Sequence, residues 1–230
     1  LDLDTNSNPS LKMPFVAAGY CKTPKDAIRL FGISDLRRID VGSYTLPTLS
    51  GNTGTTFLPG RTFALNAVGL TNPGLDGLLQ MVPAYLEIEL GFGKEIWISV
   101  AGYSVEEFVK LVLALIRAGV RKIQLNFGCP NSYAGNEQKP IFSFDPEAMA
   151  AVMRGIRAAC MEFQIQISVK LSPYSNPVEL QRAIFVLGIN PFVVEIVCCN
   201  TFPNGWWMEA GKPVFSTPGG YAGISGEVMF

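Results

Sequence analysis

The chain has 230 residues, of which 48% are hydrophobic and 16% are charged, with a formal net charge of -1. This composition predicts a single folded domain over residues 1–230, and the scattered lysines and arginines argue against a nucleic-acid partner. Because no apolar run reaches the roughly 18 residues that span a bilayer, we expect a cytoplasmic protein that does not act at a membrane.

The cysteine and histidine content limits the available chemistry. The chain has no histidine and five cysteines, at positions 21, 129, 160, 198 and 199. An odd number without CxxC spacing favours reduced thiols over a zinc site or an iron–sulfur cluster. Cys198 and Cys199 end an apolar run, where we expect them to pack in a strand with at most one facing the core. Proton transfer near neutral pH must use Cys, Asp, Glu, Lys or Tyr, and a thiol pKa of about 8.5 is the closest of these to neutrality.

Short apolar runs alternate with segments of helical periodicity, which is typical of repeated βα units and a parallel sheet. Strands of this series are predicted at 14–18, 38–42, 96–100, 122–126, 165–170 and 192–197. Helices are predicted at 24–31, 74–90, 104–116, 146–160 and 178–187, with Thr23, Ser104 and Asp145 as N-caps and Glu107 completing a capping box. A further strand is expected at 63–66 after a long Gly/Thr/Pro-rich excursion at 45–60, and the chain ends in a glycine-rich turn at 219–226.

The number of βα units indicates the fold. Six units are two fewer than a closed (β/α)₈ barrel contains, and such a barrel typically needs about 250 residues. We therefore predict a TIM barrel truncated after about six βα units. An open doubly wound sheet is the alternative, but its usual G-x-G-x-x-G turn does not follow the first strand.

The segment Asn126-Phe127-Gly128-Cys129-Pro130-Asn131 places a thiol between two carboxamides directly after a predicted strand. Proline disfavours a helical conformation for the residue before it, so Cys129 is expected on a loop. Loops at the carboxyl ends of parallel strands are where barrels place their chemistry. This position predicts a functional thiol rather than a packing cysteine.

Polar residues recur at the same ends of successive predicted strands, and we expect them to converge on one mouth. They are Lys22, Ser43, Asn66, Asn126, Cys129, Asn131, Lys170, Asn200 and Thr201. A single asparagine at a strand end often satisfies only a local turn, but several around one cavity indicate a planar ligand with alternating donors and acceptors, such as a flavin or a pyrimidine. Lys170 ends an apolar strand and either reaches solvent or meets an electron-rich ligand.

Six segments resemble the dihydroorotate dehydrogenase family in order and spacing. They are Ala17-Ala18-Gly19-Tyr20-Cys21-Lys22, Val41-Gly42-Ser43-Tyr44-Thr45, Asn66-Ala67-Val68-Gly69-Leu70, the thiol loop, Val169-Lys170-Leu171-Ser172-Pro173-Tyr174 and Cys199-Asn200-Thr201. The resemblance implies an FMN-dependent (β/α)₈ barrel that oxidises dihydroorotate to orotate in pyrimidine biosynthesis. It also implies that Cys129 is the general base that takes the proton from C5 while hydride leaves C6 for flavin N5.

The same resemblance implies further site residues. The substrate would be held by Lys22, Asn66, Gly69, Leu70, Asn126, Asn131, Asn200 and Thr201. The flavin would contact Ala18, Gly19, Lys22, Ser43, Asn126, Lys170, Cys199, Thr201 and Gly226. A cation such as Lys170 beside the ring would stabilise negative charge on the reduced flavin, and Gly226 would begin the phosphate contacts.

The resemblance leaves the electron acceptor and the substrate open. A cysteine base is similar to the cytosolic classes, which work as homodimers or with an electron-transfer subunit, whereas Lys22 and the Gly-Ser-Tyr-Thr segment look more like the membrane-bound class. The alternatives are a dihydropyrimidine dehydrogenase acting on uracil or thymine, a tRNA-dihydrouridine synthase, which carries a similar Asn-x-Gly-Cys-Pro segment, and a non-catalytic truncated barrel. Lys22 favours a substrate with a carboxylate.

Overall fold

The computed structural model describes residues 15–33, 36–134 and 136–227. Pro14, which begins the first predicted strand, lies outside these ranges. The strands within them are β1 (Phe15–Cys21), β2 (Arg38–Tyr44), β3 (Phe57–Pro59), β4 (Phe63–Asn66), β5 (Glu95–Val100), β6 (Lys122–Asn126), β7 (Tyr133–Ala134), β8 (Glu137–Gln138), β9 (Gln166–Leu171), β10 (Val193–Cys198), β11 (Phe202–Trp206), β12 (Met208–Glu209), β13 (Lys212–Pro213) and β14 (Tyr221–Gly226). The helices are α1 (Pro24–Phe31), α2 (Gly74–Phe92), α3 (Val105–Arg117), α4 (Pro146–Cys160) and α5 (Pro177–Gly188), with 3₁₀ turns at Phe142–Phe144 and Pro218–Gly220.

The main sheet is a six-stranded half-barrel of parallel strands in the order β1-β2-β5-β6-β9-β10. Five helices, α1 to α5, connect the six strands of this sheet, which confirms the predicted α/β architecture of a truncated barrel. The sheet curls so far that Arg38 of β2 forms an ion pair with Glu195 of β10, the strand at the opposite edge, at 2.8 Å. Lys170 of β9 also reaches across to the carbonyl oxygen of Ala18 in β1, at 3.2 Å. The carboxyl ends of the strands therefore face a shared space.

Side-chain caps begin the helices where the sequence predicts them. Thr23 accepts a hydrogen bond from the N3 backbone and makes a full capping box, and Asp145 accepts from Ala148. Ser104 accepts from the backbone of Glu107, as expected. The capping box predicted there is wrong, because the Glu107 carboxylate accepts from the backbone N–H of Tyr103, one residue before the cap.

A second sheet, antiparallel, has the order β11-β14-β4-β3. The predicted strand at 63–66 belongs to it, so Asn66 does not end a βα unit as expected. The glycine-rich turn predicted at 219–226 is wrong over most of its length, because β14 pairs with β4 from Gly223 to Gly226. Glycine lets β14 approach closely, since a Cβ at Gly223 would lie 2.2 Å from the hydroxyl of Thr201.

The two adjacent cysteines lie on and after the edge strand β10. Cys198 is exposed and Cys199 is half-buried. The expected strand packing is therefore wrong for this pair, because β10 has a neighbour in the sheet on one side only. Within the described ranges, no helix is both long and apolar enough to cross a membrane.

Candidate active site

The thiol loop leaves β6 and turns across the end of β9. The backbone N–H of Phe127 donates to the carbonyl oxygen of Lys170 at 3.0 Å. A Cβ at Gly128 would lie 2.6 Å from the backbone of Leu171, so only glycine permits this approach. The ring of Phe127 packs edge-on against Phe108 of α3, with centroids 5.0 Å apart. The sequence Phe-Gly-Cys-Pro thus fixes the loop on both sides and leaves the thiol at the strand ends.

The thiol faces a cavity of about 450 Å³, a volume within the usual range for small-molecule sites. Its walls come from the carboxyl ends of the parallel strands and from β3 and β4 of the second sheet. The lining residues are Ala17, Ala18, Gly19, Tyr20, Lys22, Gly42, Ser43, Phe57, Asn66, Val68, Gly69, Leu70, Asn126, Cys129, Pro130, Asn131, Lys170, Asn200 and Thr201.

The cavity brings together all of the sequence-predicted site residues except Cys199 and Gly226, which do not line it. Gly226 lies at the far end of β14, paired with Phe63. The sequence reasoning missed Phe57, which projects from β3 and is 58% exposed. The unusual length of the 45–60 excursion, with its end in β3, is the signal that could have pointed to this residue.

The asparagines of the cavity are oriented by one another. Asn131 donates from Nδ2 to the backbone oxygen of Asn66 at 2.9 Å and to its Oδ1 at 3.0 Å. Asn200 donates from Nδ2 to Oδ1 of Asn126 at 2.9 Å, and Asn126 donates to the hydroxyl of Ser43 at 2.8 Å. Each of these amides therefore has a defined direction rather than a choice of two.

Two lysines supply positive charge to the cavity. The ammonium of Lys22 donates to the carbonyl oxygen of Thr71 at 2.9 Å, and that of Lys170 donates to Ala18 at 3.2 Å. Burial lowers the pKa of both ammonium groups below their ordinary value. Cys129 opposes this shift at Lys22, and Asp40 and Cys129 oppose it at Lys170. No aspartate or glutamate is among the lining residues. The cavity therefore favours an anionic ligand.

The Cys129 thiol sits among groups that act on its ionisation in opposite directions. Burial raises its pKa, whereas the backbone N–H of Asn131, the hydroxyl of Ser132 and the charges of Lys170 and Lys22 lower it. The Ser132 Oγ lies 3.9 Å from the sulfur, and it also accepts a hydrogen bond from the hydroxyl of Tyr103 at 3.2 Å. Because burial is the largest of these effects, the resting group is a thiol that the lysines can help to ionise.

Two features of the cavity fit a planar cofactor bound beside the substrate that its charge favours. The hydroxyl Oγ1 of Thr201 is buried and has no hydrogen-bond partner among the described residues. The backbone at Gly19 is open, since a Cβ there would have nothing within 4 Å. An orphaned hydroxyl and an accessible backbone beside Lys170 match the donors and surfaces that a flavin ring requires. Among the described residues, no group of three or more metal-ligating side chains occurs.

The fold is that of an α/β protein of barrel type, with a cavity of small-molecule size at the carboxyl ends of its parallel strands. The chain belongs to the dihydroorotate dehydrogenase family, whose model matches residues 6–229. Members of this family are flavoprotein oxidoreductases that act on CH–CH groups.

Three relatives illustrate the match. The catalytic subunit of dihydroorotate dehydrogenase B (NAD(+)) of Bacillus pumilus is 30% identical over 96% of this chain and 67% of the relative. Dihydroorotate dehydrogenase A (fumarate) of Lacticaseibacillus paracasei is 38% identical over 81% of this chain and 61% of the relative. Dihydroorotate dehydrogenase (fumarate) of Trypanosoma cruzi is 27% identical over 94% of this chain and 68% of the relative. The aligned parts thus span between 61% and 68% of these relatives.

Proposed function

We propose that the protein oxidises dihydroorotate to orotate in pyrimidine biosynthesis with FMN as cofactor. The observation that carries the proposal is the charge and polarity of the cavity, which has two lysines, four asparagines and no acidic residue in its lining. Dihydroorotate is an anion with a carboxylate and two ring carbonyls, so it offers mainly acceptors to these donors.

The hydrogen bonds among the asparagines support this choice. Because Oδ1 of Asn66 accepts from Asn131, the Nδ2 hydrogens of Asn66 are available to a ligand. Asn126 and Asn200 each use one amide hydrogen within the site and keep the other. Three amide donors and two ammonium groups would therefore surround a bound carboxylate and the ring carbonyl oxygens.

In this proposal Cys129 is the general base that removes the proton from C5 of dihydroorotate. Proximity of Lys22 and Lys170 would favour the thiolate form needed for this step, and Ser132 would hold the sulfur through its hydroxyl. FMN, when bound, supplies an acceptor for the hydride from C6. Ala18, Gly19, Ser43, Lys170 and Thr201 would hold it, with Lys170 compensating negative charge on the reduced ring.

The neutral dihydropyrimidines provide the decisive comparison. We would add dihydroorotate or dihydrouracil to the FMN-loaded protein under anaerobic conditions and follow the flavin absorbance. Rapid bleaching by dihydroorotate, with slow or no bleaching by dihydrouracil, is expected because only the former has a carboxylate for the lysines. Bleaching by dihydrouracil in preference to dihydroorotate would contradict the substrate, and FMN binding without bleaching by either would contradict the reaction.

The electron acceptor can be assigned in the second half of the same experiment. The names of the relatives provide two candidates, fumarate and NAD⁺. We would add each to the bleached protein and follow recovery of the flavin absorbance. Recovery with fumarate alone would support a homodimeric enzyme without a further subunit. Recovery with NAD⁺ only after adding an electron-transfer subunit would support the second arrangement.

A further inference from the structure

A chain of buried hydrogen bonds connects the cavity to a carboxylate in the interior of the half-barrel. From the cavity downwards it consists of five bonds: Asn200 to Asn126 at 2.9 Å, Asn126 to Ser43 at 2.8 Å, Ser43 to Ser99 at 2.8 Å, Ser99 to Gln124 at 3.0 Å and Gln124 to Asp40 at 2.5 Å. Asp40, Ser99 and Gln124 have no solvent exposure and do not line the cavity. They are not among the residues that the sequence points to.

Burial raises the pKa of Asp40 above its ordinary value, but Arg38 opposes this shift and holds the group as a carboxylate by donating to both of its oxygens. The guanidinium of Arg38 donates from Nε to one oxygen of Asp40 at 2.6 Å and from Nη2 to the other at 3.0 Å. Arg38 also pairs with Glu195, whose second partner is the hydroxyl of Ser168 at 2.6 Å. A carboxylate held in this way can only accept hydrogen bonds.

This acceptor determines the direction of the bonds from Gln124 up to the hydroxyl of Ser43. Gln124 must turn its amide nitrogen to Asp40, so its oxygen faces Ser99 and requires the Ser99 hydroxyl as donor. With its hydrogen used, Ser99 can only accept from Ser43, and Ser43 in turn accepts from the amide nitrogen of Asn126. The five donors therefore all point towards the buried carboxylate.

The direction has a consequence at the cavity. Asn126 must present Oδ1 to the amides of Gly128 and Asn200, which leaves one Nδ2 hydrogen for a ligand. Ser43 has no hydrogen left and can only accept. Asn200 keeps one Nδ2 hydrogen, while its Oδ1 accepts from the backbone N–H of Thr201 at 2.8 Å. Reversal of the Ser99 and Ser43 hydroxyls would give Ser43 a free hydrogen at the cavity, whereas the backbone N–H groups of Gly128 and Thr201 keep Oδ1 of Asn126 and of Asn200 as acceptors.

We propose that Asp40 is a positioning residue that sets the direction of the Ser43 hydroxyl at the ligand cavity through Gln124 and Ser99. The identity of the ligand rests on the proposed function, but the chain of bonds is a property of the ligand-free protein. Asp40 does not line the cavity, and it acts by orienting the hydroxyl of Ser43, which in turn holds one amide hydrogen of Asn126.

The test uses two variants that interrupt the chain without entering the cavity, and one matched control. Asp40→Asn replaces the obligatory acceptor with a group that can face Gln124 either way, and Ser99→Ala removes the middle hydroxyl. Ser168→Ala is the control, because Ser168 is also a fully buried serine on a strand of the half-barrel but donates to Glu195.

Solvent exchange of the side-chain amide protons of Asn126 and Asn200 would be measured by NMR in the ligand-free protein, together with the orotate Kd of the FMN-loaded protein by calorimetry. We expect exchange to accelerate by roughly tenfold or more in Asp40→Asn and Ser99→Ala, because a buried network shares its protection. The same variants should weaken orotate binding by about 3- to 10-fold, the equivalent of one hydrogen bond. Ser168→Ala should leave the amide exchange rates and the orotate Kd within about twofold of their unsubstituted values, because the Ser168 hydroxyl has no hydrogen bond to the chain that ends at Asn126 and Asn200.

Unchanged amide exchange in Ser99→Ala would overturn the proposal, as would equal acceleration in Ser168→Ala. If Asp40→Asn does not fold, Ser99→Ala decides alone, because it removes no charge. Failure of the unsubstituted protein to bind orotate would contradict the proposed function only, since the exchange measurement requires no ligand.

Discussion

Replacing Cys129 by alanine gives the most direct test of the proposed chemistry. Among the ionisable groups that line the cavity, Lys22 and Lys170 are donors to backbone oxygens and Tyr20 is 65% exposed, so none can replace the thiol as a base near neutral pH. A positioned general base typically accelerates a proton transfer by about 10²- to 10⁴-fold. We expect the upper part of this range, a loss of about 4–5 kcal/mol of transition-state stabilisation.

The assay is stopped-flow reduction of the FMN-loaded protein by dihydroorotate without oxygen. Cys160→Ala is the matched control, because Cys160 is a buried cysteine that does not line the cavity. Both variants should retain FMN, and only Cys129→Ala should lose rapid reduction. A Cys129→Ala protein that is reduced within tenfold of the unsubstituted rate would refute the assignment of the base.

The pH dependence follows from the same site. The reactive form is the thiolate, and burial raises the pKa of Cys129 above its ordinary value despite the two lysines. At low substrate, the rate of reduction should therefore rise about tenfold per pH unit through neutrality and continue to rise above the usual thiol pKa of about 8.5. A rate that is level from pH 6 to 9 would contradict a thiol base with a raised pKa.

Three further substitutions test the ligand charge, the thiol loop and the interior ion pair. Lys22→Met should weaken orotate binding by about 10- to 100-fold in calorimetry, because it removes a charge-assisted hydrogen bond. The same substitution should weaken uracil binding by no more than about twofold. Equal losses for both ligands would contradict a contact between Lys22 and the carboxylate. Gly128→Ala should lower the free energy of unfolding by about 1–3 kcal/mol, because the added Cβ would lie 2.6 Å from the backbone of Leu171. Gly188→Ala should not lower it, because its added Cβ would have no atom within 4 Å. Equal denaturant midpoints of the two variants would show that the thiol loop can shift. Arg38→Met leaves the buried carboxylate of Asp40 without its ion pair and should lower the free energy of unfolding by about 3–5 kcal/mol, against no more than about 0.5 kcal/mol for the exposed Arg182→Met. A similar loss in both variants would mean that the interior around Asp40 is hydrated.

The alternation of strands and helices could be predicted from the sequence, because periodicity and helix caps depend on residues that are close in the chain. The six parallel strands and the caps at Thr23 and Asp145 follow from residues that are adjacent in the chain. The thiol loop was predictable for the same reason, since the proline after Cys129 excludes a helix. The convergence of Lys22, Lys170, Asn126 and Asn200 also followed, because parallel strands bring their carboxyl ends to one edge of the sheet, whereas Asn66 reaches the cavity from the antiparallel second sheet.

The second sheet and the interior hydrogen-bond network depend on contacts between residues that are far apart in the chain, so they could not be predicted from local patterns. The glycines of β14 are typical of a turn, and only pairing with β4, more than 150 residues earlier in the chain, makes them a strand. Asp40, Ser99 and Gln124 lie in the middle of predicted strands, where the pattern alone cannot distinguish an inward polar side chain from an outward one. Curling of the sheet brings their side chains together, so that hydrogen bonds run from Asp40 through Gln124 and Ser99 to the hydroxyl of Ser43 at the cavity.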